Sequence, residues 1–168
     1  MRSHLKMPNV LREAVLTDLG RPHSVAHERV GFLFARAAAL PNDGIILVCY
    51  DYLPVKDDAY LPDRRIGARV SAEGFRPARQ AALRNRLSVI HVHLHDHAGT
   101  PGFGGVDSRE TRAFMPDFLK VRSDQPHAAL ILSVDAATGR IWARDRAAGH
   151  PIDTISFTGP VVTKVPYA

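Results

Sequence analysis

The chain has one cysteine, Cys49, among its 168 residues. No internal disulfide is possible, which excludes the small secreted scaffolds that rely on several bridges. Long apolar runs are missing as well. Ile45-Ile46-Leu47-Val48-Cys49-Tyr50 is strand-sized, far short of the ~20 residues a membrane span needs. The first residues, Met1-Arg2-Ser3-His4-Leu5-Lys6-Met7-Pro8, lack the apolar stretch of a secretory leader. The expectation is a cytoplasmic protein with no membrane partner. Aromatic residues are few, at 7%, and no Lys/Arg block is interleaved with them. A net charge of +5 therefore gives little support to a nucleic-acid partner.

What the chain does hold is 45% hydrophobic residues, enough for the core of one domain spanning 1–168. Residues 10–18 alternate as a first strand would. The stretch from Pro22 to Glu28 reads as a short helix, since proline is tolerated in a first turn. Arg29 to Leu40 is a strongly apolar run, expected as a strand covered on both faces. Pro41-Asn42-Asp43-Gly44 marks a turn into a second strand from Gly44 to Val55. The polar stretch from Pro54 to Arg65 is a surface connection or a functional insertion. A short strand is expected from Ile66 to Ser71, and a helix from Pro77 to Asn85. Ala128 to Val134 and Arg140 to Arg144 read as a hairpin around a turn at Ala137-Thr138-Gly139. Ile152 to Phe157 and Val161 to Val165 read as edge strands. Cys49 and Trp142 are expected in the core. The fold class is α/β: a mixed sheet with helices against it.

Histidine is concentrated in one place. Four of the nine histidines lie in His91-Val92-His93-Leu94-His95-Asp96-His97. Side chains alternate faces along a strand, so His91, His93 and His95 share one face while Val92 and Leu94 share the other. A Gly/Pro-rich loop follows, and Asp107 then opens a helix, as N-cap or in the first turn. Imidazoles on one face with a nearby carboxylate are the ligands that divalent zinc takes when a fourth position stays open to water.

His-x-His at a strand end, a loop, and Asp opening a helix resembles the JAMM motif of the JAB/MPN metallopeptidases. The segment His27-Glu28-Arg29-Val30-Gly31-Phe32-Leu33 resembles that family's upstream Glu-x-x-Gly-hydrophobic-Leu stretch. The order of elements is similar along nearly the whole chain. Three departures occur: Asp96 replaces the usual Pro, the loop to Asp107 is one residue longer, and Gly104 replaces the usual Ser.

The resemblance implies a largely antiparallel, curved sheet between helices, similar to the cytidine-deaminase-like architecture. It implies Zn2+ held by His93, His95 and Asp107, with water in the fourth position and Glu28 as general base. His91 would stand one pair deeper, and His97 would lie in the solvated loop. Pairing His91 with His93 departs further from the family's loop length; His95 with His97 fits by length almost as well, but His97 is expected past the end of the strand. The family's Ser stabilises an oxyanion; here the Gly104 or Gly105 N–H, or Thr100, would have to substitute. The implied activity is hydrolysis of the peptide or isopeptide bond after the C-terminal tail of a ubiquitin-like protein, with E1-like or E2-like proteins as pathway partners. A non-catalytic MPN-like scaffold and a nucleic-acid-associated protein are the alternative readings.

Overall fold

The computed structural model describes residues 2–63, 67–143, 146–159 and 163–166. Its opening already departs from the alternation read in the sequence. A strand β1, Ser3–Pro8, comes first, and a helix α1, Asn9–Leu19, occupies the expected first strand. Leu11, Val15 and Leu19 recur every fourth residue, and Val15 and Leu19 are buried. That spacing is helical, and it won over a local alternation. Residues 22–28, expected as a helix, form an irregular loop instead. The His23 imidazole holds it by accepting the N–H groups of Val25 and Ala26.

The antiparallel pair β2, Val30–Leu40, and β3, Gly44–Pro54, matches the expected hairpin. β2 is buried on both faces only from Val30 to Ala35; its far half is largely exposed. The polar connection that follows carries a 3-10 turn, Asp57–Ala59, and a small ribbon of β4, Tyr60–Leu61, with β5, Arg69–Val70. Ile66, expected in this strand, lies outside the described residues. Helix α2, Ala72–Asn85, begins five residues before Pro77, so that proline sits just past the first turn. The histidine strand is β6, Ser88–Leu94, and helix α3 is Gly105–Val121.

β7, His127–Leu132, and β8, Ala137–Ala143, pair as a hairpin. The turn between them falls at Ser133–Ala136, where Ser133 N–H donates to the Ala136 carbonyl at 2.9 Å. Ala137, Thr138 and Gly139, expected as the turn, belong to β8. Gly139 is there for a close approach: a Cβ would press on Ile152 and the Ala129 carbonyl. β9, Arg146–Pro151, is a strand the sequence did not announce. β10, Thr154–Thr158, and β11, Thr163–Pro166, complete the set; Val161 lies outside the described residues.

One nine-stranded sheet runs β11-β10-β1-β3-β2-β6-β7-β8-β9, so β10 is interior and β11 and β9 form the edges. The sheet is mixed, largely antiparallel and strongly curled. α1 covers one face over Leu5, Leu47, Ile90 and Leu130. α2 and α3 cover the other over Phe32, Val89, Ala129 and Trp142. Alternation along β6 sends Ile90 and Val92 to the α1 side, and Val89, His91 and His93 toward α2 and α3. Among the described residues no helix is long and apolar enough to cross a membrane.

Candidate metal centre

The antiparallel register of β2 and β6 carries an upstream acid to the histidines. Val30 pairs with His93, so continuing that register sets Glu28 opposite His95, just beyond both strand ends. On the other side of β6, the loop of residues 96–104 turns the chain back and lays the first turn of α3 over the same end. Ser133 Oγ donates to the Gly99 carbonyl at 2.7 Å, and Gly99 N–H donates to Asp135 at 2.7 Å, which fixes the loop. His95 N–H donates to the Leu132 carbonyl, extending the pairing with β7 beyond Leu94.

Four residues from three distant parts of the chain thus meet. His93 Nε2 stands 3.1 Å from His95 Nε2 and 3.4 Å from Asp107 Oδ1. His95 Nε2 is 4.0 Å from Asp107 Oδ2. A Glu28 carboxylate oxygen and the nitrogens of His93 and His95 lie within 4.8 Å of one another. Tetrahedral zinc, with bonds of about 2.0–2.1 Å, sets its donor atoms about 3.3 Å apart. The His93–His95 and His93–Asp107 separations are close to that, and the group whose single donor atoms all lie within 4.8 Å of one another is Glu28, His93 and His95, with Asp107 beside it.

Protonation favours the same use. His95 titrates below the usual imidazole range, because burial disfavours its cation and His93 stands beside it. Asp107 is held below the usual carboxylate range, first by its hydrogen bond with His93 and then, against burial, by the Gly104 N–H. Near neutral pH both offer lone pairs. Asp107 is the third residue of α3 and accepts the Gly104 N–H at 2.8 Å through Oδ2. Its two oxygens divide the work: Oδ2 fastens the helix start while Oδ1 faces His93.

The remaining histidines separate from this group. His91 is wedged between Phe32 and Phe114, with ring centroids 5.8 Å and 4.7 Å away. Burial, with His93 adding to it, pushes its pKa down to about 3. His97 is exposed in the loop, its Nδ1 2.8 Å from the Ala98 carbonyl. Neither joins the group of Glu28, His93 and His95, whose donor atoms lie together among the described residues. A cavity of about 280 Å³ opens beside the centre, with Glu28, His93, Asp107, Phe75 and Phe114 in its walls.

Three further residues place Glu28, and nothing in their sequence context marked them. Gly67 accepts the N–H groups of His27 and Glu28 at 2.9 Å, and a Cβ at Gly67 would collide with the Glu28 carboxylate. Arg29 is buried and donates to the carbonyls of Arg21 and Pro22 and to both oxygens of Asp57. Tyr60 Oη accepts the Val30 N–H at 2.9 Å. The polar connection between β3 and α2 is therefore a scaffold for the acid. The expected oxyanion substitute at Gly104 is corrected by the geometry, since its N–H is already donated to Asp107. Thr100 is exposed in the loop.

No protein-family model matches the chain, and no curated protein does. Among solved structures, the Trichoplax adhaerens STIL N-terminal domain aligns over 82% of this chain, with 12% identity and a TM-score of 0.41. The chain spans 41% of that protein's length. A likeness of this size carries no functional argument.

Proposed function

We propose that the chain is a zinc-dependent, JAMM-type peptidase or isopeptidase acting on the bond after the C-terminal tail of a ubiquitin-like protein. The observation that carries this reading is the meeting of four side chains: His93 stands at donor-like separations from His95 and from Asp107, and the Glu28 carboxylate lies within 4.8 Å of the same two imidazoles. Those residues are brought together by strand register and helix placement, not by adjacency in sequence. Zinc, when bound, supplies Lewis-acid chemistry, acidifying water and polarising a carbonyl.

His93, His95 and Asp107 would hold the ion. Glu28 would accept the proton of the attacking water and deliver it to the leaving amine, the role of a general base within hydrogen-bond reach. Asp107 would also keep α3 seated over the site through Gly104. The cavity beside Glu28 would receive the chain around the scissile bond. The compartment in this reading is the cytoplasm, with E1-like or E2-like proteins of the same pathway as partners.

The test is cleavage of a ubiquitin-like protein carrying a C-terminal extension. Zinc-loaded wild type is expected to release the extension, and Glu28→Gln to keep its zinc while losing cleavage. An inert zinc-loaded wild type, or a Glu28→Gln variant that cuts at the wild-type rate, would contradict the reading.

A further inference from the structure

Behind α3, on the side away from the metal centre, two cavities of about 280 Å³ and 260 Å³ share Arg112 and Trp142 in their walls. They lie side by side, each bordered by α3 and β8, and are taken together as one groove. One end is apolar, lined by Met115, Pro116 and Leu119. The other is cationic: the Arg140 guanidinium lies over the Phe103 ring, 5.5 Å from its centroid, opposite Arg112. Arg112 donates its Nε–H to the Ser108 carbonyl. Among the described residues neither arginine forms an ion pair. Lys120, at the apolar end, already pairs with Asp117 at 3.3 Å.

Two arginines facing one cavity, with no carboxylate in its walls among the described residues, form a binding element for an acidic group, since the guanidinium fork matches carboxylate geometry. We infer that this groove docks an acidic polypeptide segment, with a carboxylate between Arg112 and Arg140 and an apolar side chain against Met115 and Leu119. Charge complementarity selects an acidic partner, and the apolar end selects a peptide over a bare anion. A single-stranded nucleic acid fits less well: Trp142 is only 3% exposed, so it offers no ring face for a base to stack on. The inference goes beyond the peptidase reading and stands whether or not the metal centre cleaves.

Trp142 is the chain's one tryptophan and borders both cavities, so its fluorescence reports occupancy. The full chain is titrated with a short acidic peptide bearing a central leucine, with its lysine-for-glutamate counterpart, and with a single-stranded oligonucleotide. The acidic peptide is expected to shift the emission saturably, and the basic one to bind roughly 10- to 100-fold more weakly. Arg112→Gln combined with Arg140→Gln is expected to weaken the acidic peptide by a similar factor. Arg84→Gln on the far helix, and Glu28→Gln, are expected to bind as wild type. Matching emission spectra of the free variants establish that the groove is intact. Equal binding of the two peptides, tighter binding of the oligonucleotide, an unaffected arginine double variant, or no response of Trp142 to any peptide would overturn the proposal.

Discussion

Gly67 lies directly beneath the carboxylate of Glu28. Its carbonyl accepts the Glu28 N–H, and no Cβ fits at Gly67 unless that carboxylate moves. The obstructed atoms are the end of a flexible side chain, so Gly67→Ala is expected to fold normally and to bind zinc. Cleavage is expected to fall by about 10²-fold, the scale reported for small misplacements of a catalytic group. Kinetics alongside metal content check this; a Gly67→Ala enzyme with wild-type turnover would show that the position of Glu28 does not matter.

Gly104 caps α3 with extended backbone (φ −66°, ψ 175°) that any residue adopts, and a Cβ there would stand 3.2 Å from Asp107 Oδ2. Gly104→Ser adds an N-cap hydroxyl able to accept an N–H of the first turn, completing a Ser-x-x-Asp box. Thermal unfolding is expected to show a gain of roughly a few tenths of a kcal/mol. The JAMM motif that the sequence resembles has Ser at this position, so under the proposed peptidase reading faster cleavage is expected, with up to about 10²-fold available from one oxyanion donor.

Acid is expected to loosen the molecule through His127. Its Nδ1 accepts the Val89 N–H at 3.1 Å, and its Nε2 lies 3.2 Å from the Arg122 carbonyl, so the neutral ring satisfies both neighbours. Burial brings its pKa down to about 4, below the unfolded value of 6.5. Between those two values the unfolded chain binds the extra proton, so stability falls as pH falls through that window. From about pH 7 to about pH 5 the loss from this residue is about 2 kcal/mol. Denaturant melts at the two pH values should show a shallower drop for His127→Gln than for wild type.

The Cys49 thiol is buried in β3, and its pKa is pushed up to about 12 by desolvation. A thiolate-directed reagent is expected to leave it unmodified in the native protein and to label it fully in denaturant. Fast native labelling would show that this part of the core opens.

Much of the site was legible because strand and helix-start patterns are local. His91 to His95 alternate with Val92 and Leu94, and Asp107 follows a Gly-rich loop, so β6 and the start of α3 could be placed from residue types alone. α1 was misread because residues 10–18 alternate closely enough to hide the four-residue spacing of Leu11, Val15 and Leu19. Glu28 is singled out only by the resemblance of its Glu-x-x-Gly segment; its place beside the histidines depends on the pairing of Val30 with His93, which sequence spacing does not encode. Gly67, Arg29 and Tyr60 were invisible for the same reason. Each acts on a segment distant in sequence or through irregular backbone: Arg29 on Asp57, Tyr60 on Val30, and Gly67 on His27 and Glu28. β9 carries Gly149 and Pro151, residues that argue against a strand, and its place at the sheet edge explains why they are tolerated.

Metal content tests the central claim most directly. Elemental analysis of protein purified without chelator, then exchanged into metal-free buffer, is expected to find one zinc per wild-type chain. Glu28→Gln is expected to match it, and His93→Ala and Asp107→Ala to lose the ion while keeping native circular dichroism. A folded wild type that takes up no divalent ion, or a His93→Ala variant that retains stoichiometric zinc, would contradict the account.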